Sequence, residues 1–123
     1  MESKNENQRN AKKRSYDFAV LIIKFIDNLD TRNLTNQIIA KQLIRCSTSI
    51  GANIIEAQAG SSKKDFTNFF GHALKSANET LFWLNLLSDT RQIHSVDFYK
   101  IQTEAVEIAK ILGASILTLR GKR

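Results

Sequence analysis

The chain offers few of the side chains from which an active site is built. Its two histidines, His72 and His94, stand 22 residues apart, and no HExxH or His pair at i, i+4 occurs. The helical spacing that would aim two imidazoles at one zinc ion is therefore missing. A di-iron bundle would present inward Glu-x-x-His motifs. This sequence has Glu104-Ala-Val-Glu107 instead, which reads as a solvated face. The single cysteine, Cys46, excludes an intramolecular disulfide and a thiolate zinc site. It falls among apolar residues and reads as a small core residue rather than a nucleophile. Gly51-Ala-Asn53 lies inside a helical pattern without phosphate-loop spacing, and no Ser-His-Asp or Cys-His arrangement emerges. The expectation is a chain with no catalytic residues, no metal and no cofactor.

More informative are polar residues that interrupt an apolar seam. Ile39, Leu43, Cys46, Ile50, Asn53 and Ala57 recur at alternating spacings of four and three, as residues facing a partner helix do. Asn53 sits on that seam, with Arg45 and Glu56 beside it. If this helix and the next form a hairpin centred near Gly60, residue i lies opposite roughly residue 121 minus i, taking the centre as the axis of symmetry. Arg45 then lies beside Ser76 and within a turn of Glu79, Asn53 near Asn68, and Glu56 near Lys64 and Asp65. Arg45, Asn53, Glu56 and Glu79 are thus expected to form a polar cluster. An Arg45–Glu79 ion pair would fix the hairpin register, because buried polar groups need partners.

Four helices are needed to position these residues. Tyr16 to Leu29 is apolar almost all round, and its length of about 14 residues favours a buried helix over a strand. After a DNLDTRN loop, Leu34 or Thr35 opens a second helix running to about Ala59, with Gly60 as a left-handed stop. Ser62, with Asp65 three residues on, resembles a capping box. It opens a third helix with Phe66, Phe70, Ala73, Ala77, Leu81 and Leu84 on one face, ending near Ser88. Ser95 caps a fourth, with Asp97 in its first turn, ending near Gly121. Short connections give an all-α, antiparallel up-and-down four-helix bundle. The first and third helices carry more apolar surface than one core uses, which points to self-association.

Composition agrees. Among 123 residues there is no proline, where roughly six would be usual, and this favours long helices over turn-rich β architectures. No apolar run approaches the ~20 residues that span a bilayer, and the N-terminus has no hydrophobic signal region; a cytoplasmic protein without membrane contact is expected. The formal charge is +6, from eighteen basic and twelve acidic residues. It concentrates at the ends: residues 1–14 and 120–123 each carry a net +3, and the residues between them carry none. We therefore read residues 1–14 as a disordered basic tail, 15–119 as the bundle and 120–123 as a basic C-terminal end. Lys12, Lys13, Arg14, Arg120, Lys122 and Arg123 are the candidate phosphate contacts, since basic tails bind RNA or DNA by counterion release.

The stretches Arg45-Cys-Ser-Thr-Ser-Ile-Gly-Ala-Asn-Ile-Ile-Glu-Ala-Gln58, Ser62-Lys-Lys-Asp-Phe66 and Glu79-Thr-Leu-Phe-Trp-Leu-Asn-Leu-Leu87 resemble a bacterial family. Its members are four-helix bundles encoded in intervening sequences of large-subunit ribosomal RNA genes, often labelled ribosomal proteins. The signature positions are occupied here by Arg45, Ser49, Gly51, Asn53, Glu56, Ser62, Asp65, Phe66, Lys75, Glu79 and Trp83. Ser76 stands where the family usually has Glu, and Phe82 where it usually has Tyr. The resemblance implies a ring-like homo-oligomer, a pentamer, and no known reaction. It also implies kinship with the accessory protein of diversity-generating retroelements, which binds a reverse transcriptase and nucleic acid. The resulting expectation is a non-enzymatic oligomeric bundle that contacts structured RNA through its basic termini. The alternative is a protein-interaction scaffold, or an accessory subunit of a nucleic-acid enzyme such as a reverse transcriptase, with Phe69, Phe82 and Trp83 meeting the protein partner.

Overall fold

In the computed structural model the backbone is described for residues 4–91, 93 and 95–121, and side chains for residues 10–91, 93 and 95–121. Four helices follow one another: α1 Lys4–Asp27, α2 Leu34–Ala59, α3 Lys63–Arg91 and α4 Val96–Leu119. Each packs on two neighbours in the cyclic order α1–α2–α3–α4, an antiparallel four-helix bundle. Among the described residues there is no strand.

The core follows helical periodicity. Ala11, Phe18, Ile22 and Ile26 of α1 meet Leu43, Ile50, Ile54 and Ala57 of α2. Phe70, Ala73, Ala77, Leu84 and Leu87 of α3 and Phe98, Ile101, Ala105, Ile108, Leu112 and Ile116 of α4 complete it. Ala73 and Ala77 on α3 and Ala105 on α4 stand among larger core residues and leave room for side chains of the facing helices. Phe69, Leu81, Trp83 and Leu86 are half-buried against this core. Of the aromatic residues expected to stand outside it, only Phe82 is well exposed, at 58%.

Side chains cap three helices. Asn33 accepts from the Asn36 N–H at 2.8 Å, Ser62 from Asp65 at 3.1 Å and Ser95 from Phe98 at 3.1 Å. Each thereby serves a backbone donor left orphaned by the first turn. The third helix runs through Thr90 to Arg91, one turn beyond the expected end near Ser88.

Two expectations need correction. Gly60 is extended, with φ −67° and ψ 150°, not left-handed. Its lack of a side chain serves a close approach, since a Cβ there would lie 3.2 Å from both the Ala57 carbonyl and the Asp65 Cβ. The left-handed glycine is Gly121, φ 70°, just past α4. The expected disordered tail over residues 1–14 is helical from Lys4 onward; residues 1–3 lie outside the described residues. The apolar stripe begins earlier than Tyr16, because Ala11 and Ser15 are buried at 3% and 0%. Those two positions tie the last turns of the supposed tail to the bundle.

Candidate functional site

A polar ladder occupies the α2–α3 seam. Arg45 pairs with Glu79, and its guanidinium also donates to Gln42 Oε1 at 3.0 and 2.9 Å. Glu79 accepts in addition from Trp83 Nε1 at 3.1 Å. One carboxylate thus fixes both an arginine across the seam and an indole one turn along its own helix. Deeper in, Ser76 donates to Ser49 Oγ at 3.0 Å, and Asn53 Nδ2 donates to the Ser49 carbonyl and hydroxyl at 2.9 and 3.0 Å. The Thr80 hydroxyl lies 2.8 Å from the Ser76 carbonyl and 3.2 Å from Cys46 Sγ; its one proton serves one of them at a time.

The pairs Ser49–Ser76, Arg45–Glu79 and Cys46–Thr80 set a register about one turn (~4 residues) further along α3 than the symmetric hairpin predicts. The turn is not centred on Gly60: Gly60 is extended and the chain bends at Ser61 and Ser62 before α3 starts at Lys63. Arg45 and Glu79 therefore meet, while Asn53 bonds within its own helix rather than near Asn68. Glu56 is exposed and makes no hydrogen bond or ion pair with a described residue. Ser76, the departure from the family pattern, supplies the cross-seam bond to Ser49.

The six candidate phosphate contacts divide differently. Arg14 is drawn onto α4, where its guanidinium grips Glu104 bidentately at 3.0 and 2.5 Å. This corrects two readings at once: Arg14 is committed inside the fold, and Glu104 belongs to an interhelical pair rather than a simple solvated face. The signal lay in extending the helix back through residue 14. Lys13 pairs with Asp17 at 2.8 Å, and that hydrogen bond and charge raise the pKa of its ammonium. Lys12 and Arg120 are exposed. Lys122 and Arg123 lie outside the described residues.

Antiparallel topology brings four element ends together: the start of α1, the end of α2, the start of α3 and the end of α4. The start of α1 at Lys4 and the end of α4 at Leu119 therefore lie at one pole, joined by Lys63 and Lys64. The acids in its outermost described turns are Glu6, Glu56 and Asp65. At the opposite pole four bases (Lys24, Arg32, Arg91, Lys100) balance four acids (Asp27, Asp30, Asp89, Asp97). Arg32 there closes bidentately on Asp30 and holds that carboxyl below its usual pKa range.

Apolar surface is left over, and not only on α1 and α3 as the sequence suggests. Tyr16, Ala19, Val20 and Ile23 of α1 with Thr48, Ala52 and Ile55 of α2 line a groove of about 630 Å³, with Lys12 and Lys13 at one end. Tyr16, Ile23 and Ile55 are 69%, 42% and 52% exposed. Val106 and Leu117 on α4 are exposed too, beside Gly113. Cys46 is buried beneath the ladder, and desolvation pushes its thiol pKa up, the reverse of an activated nucleophile. Among the described residues no group of His, Cys, Asp and Glu could hold a metal ion, and no helix is long and apolar enough to cross a membrane.

Fold and site together define an all-α antiparallel bundle, pinned by a polar ladder on its central hairpin and bearing apolar surface on its outer faces. The profile of the 23S rRNA-intervening sequence protein family matches residues 7–114, and the chain belongs to that family. It is also similar to the crystal structure of a protein of unknown function from the S23 ribosomal protein family of Bacteroides thetaiotaomicron. The two superpose with a TM-score of 0.79 at 37% identity, covering 89% of this chain and 97% of that one. No curated protein matches the chain.

Proposed function

We propose that the protein is a non-enzymatic, ring-forming bundle that contacts the phosphate backbone of structured RNA with its basic pole. The observation that carries this reading is topological: both basic termini emerge at the same end of the bundle. Phosphate contacts supply affinity without base readout, so binding is expected to be salt-sensitive and weakly sequence-selective.

Self-association is supported by the α1–α2 groove and the α4 surface around Val106 and Leu117. They are different patches, so packing one copy's patch on the other's is head-to-tail, a contact that closes into a ring when the rotation fits. Side-by-side bundles related by a rotation axis along their length present their basic poles on one rim, multiplying weak phosphate contacts. Five copies is the number the family resemblance implies.

Light scattering of the full chain tests association: a mass near five times 13.9 kDa is expected, and a monomer overturns the ring. Anisotropy with a labelled RNA duplex tests binding. Lys12→Gln/Arg120→Gln is expected to weaken it, and unchanged affinity overturns the role of the termini. A second reading, a protein-interaction scaffold, is favoured by Phe82, exposed and edge-on to Trp83 with ring centroids 5.1 Å apart. It predicts capture of one defined protein partner that persists at high salt.

A further inference from the structure

We infer that the first turns of α1, from Lys4 to Arg14, form a strap that opens from the bundle as a unit while the rest stays folded, with the Arg14–Glu104 ion pair as its latch and Ser15 as its hinge. The device is a property of the bundle itself and holds whatever the pole of the termini contacts.

The two halves of α1 are unlike. From Ser15 to Asp27 the helix buries Phe18, Ile22 and Ile26, and Phe25 packs on Phe98 with ring centroids 5.3 Å apart. From Lys4 to Arg14 the sequence offers one apolar side chain, Ala11. Hydrophobic stabilisation follows the apolar area removed from water, so far less of it holds the strap. Its own helix is weak as well. Three of its residues are asparagines, poor helix formers, and its five cations and one acid lie toward the positive end of the helix dipole. Segments with few buried apolar contacts open at the low end of a protein's stability range. Across the fold the strap is gripped by the Arg14 guanidinium, on Glu104 Oε2 and Oε1 at 3.0 and 2.5 Å.

A second helix start is written at the hinge. Ser15 is of a preferred N-cap type, and Asp17 would stand in the first turn of a helix capped there, where the dipole favours an acid. With the strap closed, the Ser15 hydroxyl donates to the Lys12 carbonyl at 3.0 Å. Once that turn unwinds, the same oxygen can accept from the Asp17 or Phe18 N–H and cap the shortened helix. Ser15 is itself fully buried beside Gly51, where an added Cβ would come within 3.2 Å of its hydroxyl, so the helix stays docked from that residue on. The Lys13–Asp17 pair that spans the hinge is exposed on both sides and resists opening only weakly. Opening takes Ala11 out of the core at the pole where α2 and α4 end, and moves Lys12 and Lys13 from fixed positions onto a free arm.

Native-state hydrogen exchange of the full chain, read by NMR at low urea, tests the device. The amides of residues 8–14 are expected to exchange together, at least about tenfold faster than those of residues 18–26 and with a shallower urea dependence, because their opening exposes less surface. Glu104→Gln lies on another helix and leaves the strap's sequence untouched. It is expected to speed exchange at residues 8–14 about three- to tenfold. Arg14→Gln, nearly matched in helix propensity, is expected to do the same, and the double variant no more than either alone. Exchange that quickens steadily towards Lys4 and ignores Glu104→Gln is ordinary end fraying and overturns the inference. A common rate and urea dependence for residues 8–14 and 18–26 also overturns it, because the strap then parts only with the whole fold. Additive effects of the two substitutions remove the latch, since Arg14 and Glu104 then act separately.

Discussion

Three glycines lie inside helices, and their surroundings predict opposite responses to one added methyl group. A Cβ at Gly71 or Gly113 meets nothing within 4 Å. Each Gly→Ala change should then gain the helix-propensity difference alone, about 0.5–1 kcal/mol, mostly by restricting the unfolded chain. That corresponds to roughly 2–5 °C for a domain of this size. A Cβ at Gly51 would lie 3.2 Å from Ser15 Oγ and 3.7 Å from Ser15 Cβ. Ser15 has no room to retreat: it is fully buried, and its hydroxyl donates to the Lys12 carbonyl at 3.0 Å. Turning that hydroxyl away forfeits a bond worth about 0.5–1.5 kcal/mol net, enough to cancel the propensity gain. Thermal denaturation at fixed protein concentration should therefore rank Gly71→Ala and Gly113→Ala above wild type, and Gly51→Ala at or below it. In a Ser15→Ala background Gly51→Ala should recover most of the gain. If Gly51→Ala stabilises as much as Gly71→Ala in the wild-type background, Ser15 does not set the α1–α2 approach. Gly113 carries a second readout. If a neighbouring copy packs against the α4 surface beside it, Gly113→Ala stabilises the subunit while weakening assembly, whereas Gly71→Ala should leave the mass unchanged.

The Arg45–Glu79 pair is more than a third exposed on both sides, 58% and 37%, so a double-mutant cycle with Arg45→Met and Glu79→Gln should give a coupling of only about 0.3–1 kcal/mol; zero coupling would mean that Gln42 alone positions the arginine. Ser47 is fully buried with no hydrogen-bond partner for its hydroxyl among the described residues, so Ser47→Ala should stabilise by about 1 kcal/mol, and a loss in urea denaturation would reveal a partner. Burial raises the Cys46 pKa, so as pH climbs past the ordinary thiol value of 9.0 the unfolded chain loses its proton first and the folded state loses stability. Cys46→Ala should soften this alkaline decline, and an identical pH profile in the variant would refute it.

The helices were legible because their apolar positions recur at spacings of three and four, and because Ser62 and Ser95 cap visibly. The start of α1 is not, because residues 4–14 are polar at most positions and, among the described side chains there, Ala11 and Ser15 alone mark a buried stripe. Both are small, so they add little to a hydrophobic pattern while allowing close packing. Arg45 and Glu79 were legible as partners because an arginine's reach absorbs an error of one turn in register. Asn53 and Glu56 are shifted by that same turn away from Asn68, Lys64 and Asp65, and Asn53 bonds instead to Ser49 on its own helix. Glu104 reads as a solvated face because its partner, Arg14, lies 90 residues away, and no local pattern joins them.

The distribution of charge depends on an even number of helices. In an up-and-down bundle of four, the chain returns to its starting end, so two basic termini that are far apart in sequence meet in space, and the middle turn meets them there. Three or five helices would separate the termini, and the same sequence charge would then form two weak poles. The turn lysines would lie at only one of them. The recruitment of Arg14 by Glu104 trims this pole and anchors it, because the last turns of α1 before the core become part of the rigid body. Charge carried on a rigid helix costs less conformational entropy to bring against a phosphate backbone than charge on a loose tail. What the bundle lacks, on this argument, is not preorganisation but number: a single copy presents few free cations. In the proposed ring, repetition would supply the rest; affinity for phosphate would then be a function of assembly, linking the apolar faces to the basic pole.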